Sequence, residues 1–196
     1  MFRVSAAAAA AYAALAGLVA AGAVNGIDRW AIAHAMPGAH GGARKPSLAE
    51  ALVPFLHVHW SNAYDVATEV VTAPASLIVS LLVLSALQRW ALLAAWLAGN
   101  VVEEVCKLTI TRPALYSHGL HVVGFDSSYP SGHTLRTVIV AAAAWSAWPK
   151  ARPLVAAWGV ASVALLELDG WHVPSDIVGG LLLAVVLLGL LRARAA

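Results

Sequence analysis

Six apolar runs, at about 5–24, 66–87, 91–110, 134–148, 153–168 and 173–191, constrain this chain more than any other feature. Each approaches the ~20 residues a helix needs to cross a bilayer, although the fourth and fifth are short. Of 196 residues, 61% are hydrophobic and only 11% charged. Soluble domains run near 45–50% apolar and about 25% charged. A water-soluble globule of this size cannot hide so much apolar surface, and disorder, collagen and coiled coil fail on the same figures. The expected fold is all-α, an integral membrane helical bundle of about six transmembrane helices. It forms a single membrane-embedded domain over 1–196, with the first helix 5–24 and an outer loop 26–65 peripheral to a core at 66–191. The alanine-rich first run could also be read as a signal peptide behind Arg3, but its length and the spans that follow favour a retained helix.

A net charge of +2 is small and scattered, which speaks against nucleic acid as a partner. Cys106 is the lone cysteine, so neither a disulfide nor a cysteine metal cluster is expected. With the N-terminus inside, the cytoplasmic ends carry Arg3, Arg89, Lys150, Arg152, Arg192 and Arg194. The opposite side carries Arg29, Arg44, Lys45, Lys107, Arg112 and Arg136, of which the last three lie at or inside helix ends. Leaving those three aside favours both termini in the cytoplasm. Trp30, Trp60, Trp90, Trp148 and Trp171 fall near the expected interfaces. Ser47 to Trp60 reads as a short amphipathic helix on the outer surface, kinked by Pro54.

This topology brings three polar clusters to the outer side: Lys107 to Pro113, Tyr129 to His133, and Gly170 to Asp176. Ionisable groups at membrane depth are costly, which makes these clusters functional candidates. Their chemistry suits a phosphate. Ser131 is a natural N-cap, and Gly132 lets backbone N–H groups approach an oxyanion at the start of the fourth helix. Arg112 offers a planar fork matched to phosphate oxygens. His172 and Asp176 share a helical face, so the carboxylate can hold the imidazole in one tautomer. An oriented imidazole is a competent nucleophile, and a second histidine can move the proton.

On these residues the chain resembles the type 2 phosphatidic acid phosphatase superfamily, which also includes vanadium haloperoxidases. The family pattern is K-x(6)-R-P, then P-S-G-H, then S-R-x(5)-H-x(3)-D. Pro130 to His133 match the second motif in full, and Gly170 to Asp176 match the latter half of the third. The resemblance spans roughly residues 60–190. It implies that His172 is the nucleophile that becomes phosphorylated and that Asp176 orients it. It implies that His133 protonates the leaving group and then activates water. Arg112, Ser131 and Gly132 would bind the phosphate, and no metal or other cofactor is called for.

Two positions depart from the pattern. Lys107 lies five residues before Arg112 instead of seven, which rotates it by ~140° where seven residues would return it to within ~20°. It is either a displaced substrate-phosphate ligand or an intrahelical partner of Glu103. The serine and arginine of the third motif are Leu165 and Leu166, so a cation is missing. Arg136, three residues after His133, points inward either to the substrate phosphate, replacing that cation, or to Glu167.

His34, His40, His57, His59, His118 and His121 lack such a setting; His57 and His59 could reach a common ligand if extended, but a surface role is favoured. Asp126, Ser127 and Ser128 read as turn residues, and Glu69 and Asn100 as interhelical hydrogen-bonding groups. The leading expectation is a membrane lipid phosphatase acting on a phosphate monoester or diphosphate at the outer face of a plasma membrane, bacterial by the shortness of the chain. Its partners are the lipid phosphate and membrane lipids. A catalytically inactive member binding a headgroup or a protein is the alternative; a small transporter has no support in broken half-helices.

Overall fold

The computed structural model describes residues 2–38, 62–117 and 120–194. The architecture is helical. In chain order it comprises α1 (Phe2–Ala20), α2 (Asn25–His34), α3 (Ala63–Thr72), α4 (Leu77–Ala86), α5 (Trp90–Thr109), α6 (Gly132–Ala147), α7 (Arg152–Leu168) and α8 (Pro174–Arg194). A two-residue antiparallel pair, Tyr116–Ser117 with Leu120–His121, lies between α5 and α6.

All six apolar runs are helical, but their continuity differs from the expectation. Ala63–Ala86, Pro149–Leu168 and Pro174–Ala193 are long and apolar enough to cross a membrane. The bent pair Val4–Ala20 and Asn25–His34 makes a fourth if counted as one span, so the count of six is not reached. The shortfall has physical causes. The α6 helix has 16 residues, roughly 24 Å at 1.5 Å per residue, against the ~30 Å hydrocarbon core. The α5 helix has 20 residues but carries Glu103, Glu104 and Lys107 within them.

The first run ends sooner than its composition suggests. Gly22 adopts φ +70°, and the Gly22 N–H to Val19 and Ala23 N–H to Leu18 bonds close a Schellman turn. The chain then turns by 78° into α2, within a region expected to be loop. In the second run, Pro74 breaks the helix into α3 and α4 through a 3₁₀ turn at Ala73–Ala75.

The most buried helix is α6, which packs on α4, α5, α7 and α8. Its Leu135, Ile139 and Ala143 meet Leu84, Trp96, Leu183 and Ala184 in the mid-bundle core. A second apolar cluster, including Ile32, Met36, Leu115, Phe125 and Val173, seals the end of the bundle where the polar motifs gather. Side chains such as Leu97, Val101, Val105 and Leu108 form an exposed apolar stripe on α5.

Candidate active site

Local structure at the end of α7 delivers the first candidate pair. Gly170, at φ +81°, ends the helix in a second Schellman turn, with Gly170 N–H to Glu167 and Trp171 N–H to Leu166. The His172 N–H also donates to Leu166, so this turn fixes the backbone of His172 before α8 begins. Pro174 opens α8, where a missing N–H costs nothing. Asp176 follows in the first turn, where a carboxylate complements the helix dipole. Asp176 Oδ2 lies 3.4 Å from His172 Nδ1. The two meet across this turn, not along a continuous helical face as the four-residue spacing suggested.

Asp176 is completely buried and held from three sides. Ser128 Oγ donates to Oδ2 at 2.6 Å, and Arg112 Nη2 donates to Oδ1. Its backbone carbonyl accepts from Ser131 N–H at 2.9 Å, which joins the Pro130–His133 segment to α8. Gly180 permits this approach, because a Cβ there would stand 2.5 Å from the Ser131 carbonyl. A carboxylate so fixed holds one imidazole nitrogen and leaves Nε2 on the far side of the ring for chemistry.

Arg112 is committed to carboxylates. Its Nη1 donates to Asp28 Oδ2 at 2.9 Å while Nη2 serves Asp176, and the whole residue is buried. Asp28 in turn accepts from Ser175 Oγ at 2.7 Å and from Ser175 N–H at 3.1 Å, satisfying an unpaired donor at the start of α8. The residue read as a phosphate fork therefore sits between two carboxylates.

Around α6 the arrangement is different. Ser131 caps the helix as its spacing indicated, accepting from Thr134 N–H at 3.2 Å. Gly132 is the first helical residue and His133 the second; the His133 ring meets Trp171 edge-on at 5.4 Å between centroids. Arg136 points inward, but its anion is Glu103 and not Glu167. Its Nη1 donates to Glu103 Oε2 at 3.0 Å and to Asn100 Oδ1 at 2.8 Å. Its Nε donates at 2.8 Å to the carbonyl of Ala75, in the turn that Pro74 imposes. Lys107 reaches the same carboxylate, Nζ to Oε1 at 2.5 Å, in the i,i+4 pairing its spacing allowed.

The structure thus brings His172, Asp176, Arg112, Ser131, Gly132, His133, Arg136 and Lys107 to one end of the bundle. It divides the cations into two groups, Arg112 around Asp176 and the Arg136–Lys107 pair around Glu103. Asp28, Ser128 and the central position of Glu103 were missed in the sequence; Asn100 does make the interhelical bond expected of it. The only local signal for Asp28 is a carboxylate in the first turn of α2. Leu166, at the position of the third-motif arginine, is fully buried. His34 stacks on Trp30 at the periphery. His40, His57, His59, His118 and the Ser47–Trp60 segment lie outside the described residues. Among the described residues, no group of three or more His, Cys, Asp or Glu is placed to hold a metal ion.

The sequence model of the PAP2 superfamily matches residues 88–194, more than half of the chain. Neither the curated proteins nor the solved structures contain a match to it. The family match covers every side chain gathered around Asp176 and Gly132 apart from Asp28, and the chain belongs to the PAP2 superfamily.

Proposed function

We propose that the protein is an integral-membrane phosphatase that hydrolyses a lipid phosphate monoester or diphosphate through a phosphohistidine intermediate. The observation that carries this reading is the His172–Asp176 pair set beside the Ser131-capped start of α6. Family membership supports phosphatase chemistry, and the apolar helices support a substrate held in the membrane. The exposed stripe on α5 favours lipid on that side too, so α5 and α6 complete a six-span bundle around the site. Both termini then face the cytoplasm and the site faces the exterior of a bacterial plasma membrane.

In this mechanism the phosphoryl group lies at the N-terminus of α6, where free backbone N–H groups and the helix dipole favour an oxyanion. His172 Nε2 attacks phosphorus, the P–N bond forms, and the P–O bond to the leaving group breaks. His133 gives that oxygen its proton, then takes one from water as the water attacks the phosphohistidine. Cleavage of the P–N bond releases inorganic phosphate and restores neutral His172. Asp176 steadies the imidazole and the positive charge it gains, and Arg112 acts by positioning Asp176. Arg136 and Lys107 supply cations to the phosphoryl oxygens, the work of the third-motif arginine elsewhere in the family.

The buried Leu166 favours a second reading, in which a member without that arginine binds a headgroup but does not turn it over. Phosphate release by detergent-purified protein separates the two. A panel of phosphatidic acid, phosphatidylglycerol phosphate and a polyprenyl diphosphate should yield release from at least one. No release from any of them, with intact folding, would favour the binding protein.

A further inference from the structure

A carboxylate already occupies the place where an oxyanion should sit. A Cβ built on Gly132 would stand 1.9 Å from Glu103 Oε1 and 2.2 Å from Oε2, so the carboxylate lies directly against the first residue of α6. Its two oxygens also take Lys107 Nζ at 2.5 Å and Arg136 Nη1 at 3.0 Å. Glu103 is buried, while the side chain of Lys107 remains 28% exposed. One anionic side chain therefore engages the helix start and the cations of the Arg136–Lys107 group.

We infer that Glu103 is a built-in competitor for the phosphoryl group, a resident anion that substrate must displace from Gly132, Arg136 and Lys107. The inference rests on the phosphoryl site proposed above and adds how entry to it is controlled. Two oxyanions cannot share this space: the contacts leave no room above Gly132, and like charges at such distances repel strongly where water is scarce. The exchange keeps the two cations compensated, since a phosphoryl dianion arrives as the single carboxylate charge leaves. The partly exposed Lys107 provides a direction for the displacement, because it can draw Glu103 toward the surface. The carboxylate also keeps Arg136 from remaining an uncompensated buried charge when the site is free of substrate. Glu103 thereby sets a threshold: a fully charged phosphoryl group competes well, and a singly charged diester competes poorly.

Inorganic phosphate is the probe, read by calorimetric titration and thermal shift on full-length protein in detergent, without any turnover. Glu103→Gln keeps the shape and removes the competing charge, and should bind phosphate at least tenfold more tightly than wild type. It should melt lower without phosphate and regain most of the loss with it. Glu103→Asp keeps the charge for Arg136 and Lys107 but withdraws it from Gly132, and should show a smaller gain. If Glu103→Gln melts lower and binds phosphate no better, Glu103 is only a bridge between α5 and α6 and the inference fails. Should Glu103→Gln not fold, unchanged affinity in Glu103→Asp overturns it equally. Because binding alone is read, these outcomes stand apart from the lipid panel: absent turnover would sink the phosphatase and leave the competitor intact.

Discussion

Asp28 and Arg112 lie 84 residues apart in the chain, yet Arg112 Nη1 donates to Asp28 Oδ2 at 2.9 Å with both side chains 1% exposed. This pair carries α2 into the site from outside the region of family similarity. It couples the fold to the chemistry, because the other end of the same guanidinium holds Asp176. Buried pairs of this kind contribute little when intact, since desolvation offsets the attraction, but are costly to break from one side.

Asp28→Ala should therefore destabilise the protein by about 1–3 kcal/mol, because Arg112 keeps Asp176 but loses its second acceptor and two Ser175 donors lose theirs. Asp28→Asn should cost less, because the amide oxygen can still accept from Ser175. Thermal melts in detergent check both. A wild-type melt for Asp28→Ala would show that Arg112 is satisfied without α2.

Arg136→Ala should lose both stability and activity. It strands Glu103 and the Ala75 carbonyl, and it removes a cation from the phosphoryl site. The expected fall in kcat/KM is on the order of 10²-fold or more, the scale for deleting a transition-state donor. Arg136→Lys should recover only part, since one ammonium cannot reproduce a fork bonded to Ala75, Asn100 and Glu103. A lower melting temperature with wild-type kcat/KM would assign Arg136 to the fold alone.

What the sequence revealed and what it hid follow from the range of the interactions. Ser131 as N-cap, the Glu103–Lys107 pair and the His172–Asp176 contact each lie within four residues, and local spacing is enough to read them. The bonds of Asp28 to Arg112, Ser128 to Asp176 and Glu103 to Arg136 span 33 to 84 residues, and no periodicity encodes such partners. Arg136 was read as needing an anion, on the cost of a buried guanidinium, but the choice among anions depended on how α5 packs on α6. The continuity of the spans was not legible for a related reason. A run of apolar letters does not show that Pro74 breaks it, or that Gly22 turns α1 through 78° into α2.

Stability should decline as pH rises from about 4 to 7. Asp169 follows α7, and its carboxyl is pushed up to about 7 by burial and by the neighbouring charge of Asp65, with Glu69 adding a further negative charge. Its ordinary value is 3.8, so over this interval the folded state holds a proton that the unfolded chain releases. The stabilisation is complete below about 4 and is lost as the pH climbs through the folded value. Asp169→Asn should flatten this part of a melting temperature profile taken from pH 4 to 8. Parallel profiles for variant and wild type would contradict it.

Orientation can be read by labelling. In a Cys106→Ser background, a cysteine replacing the half-exposed Tyr116 should react with an impermeant maleimide added to intact cells. One replacing Lys150 should react only after permeabilisation. The reverse pattern would place the site on the cytoplasmic face.

The most direct measurement is to trap the phosphoenzyme. Protein quenched during turnover of a radiolabelled lipid phosphate should carry label that is stable to base and labile to acid, as a phosphohistidine is. Asp176→Asn should accumulate it more slowly, since an amide no longer orients Nδ1 or steadies the imidazolium. His172→Ala should carry none and release no phosphate, while melting close to wild type. Label retained in His172→Ala, or steady phosphate release by that variant, would contradict the assignment of His172 as nucleophile.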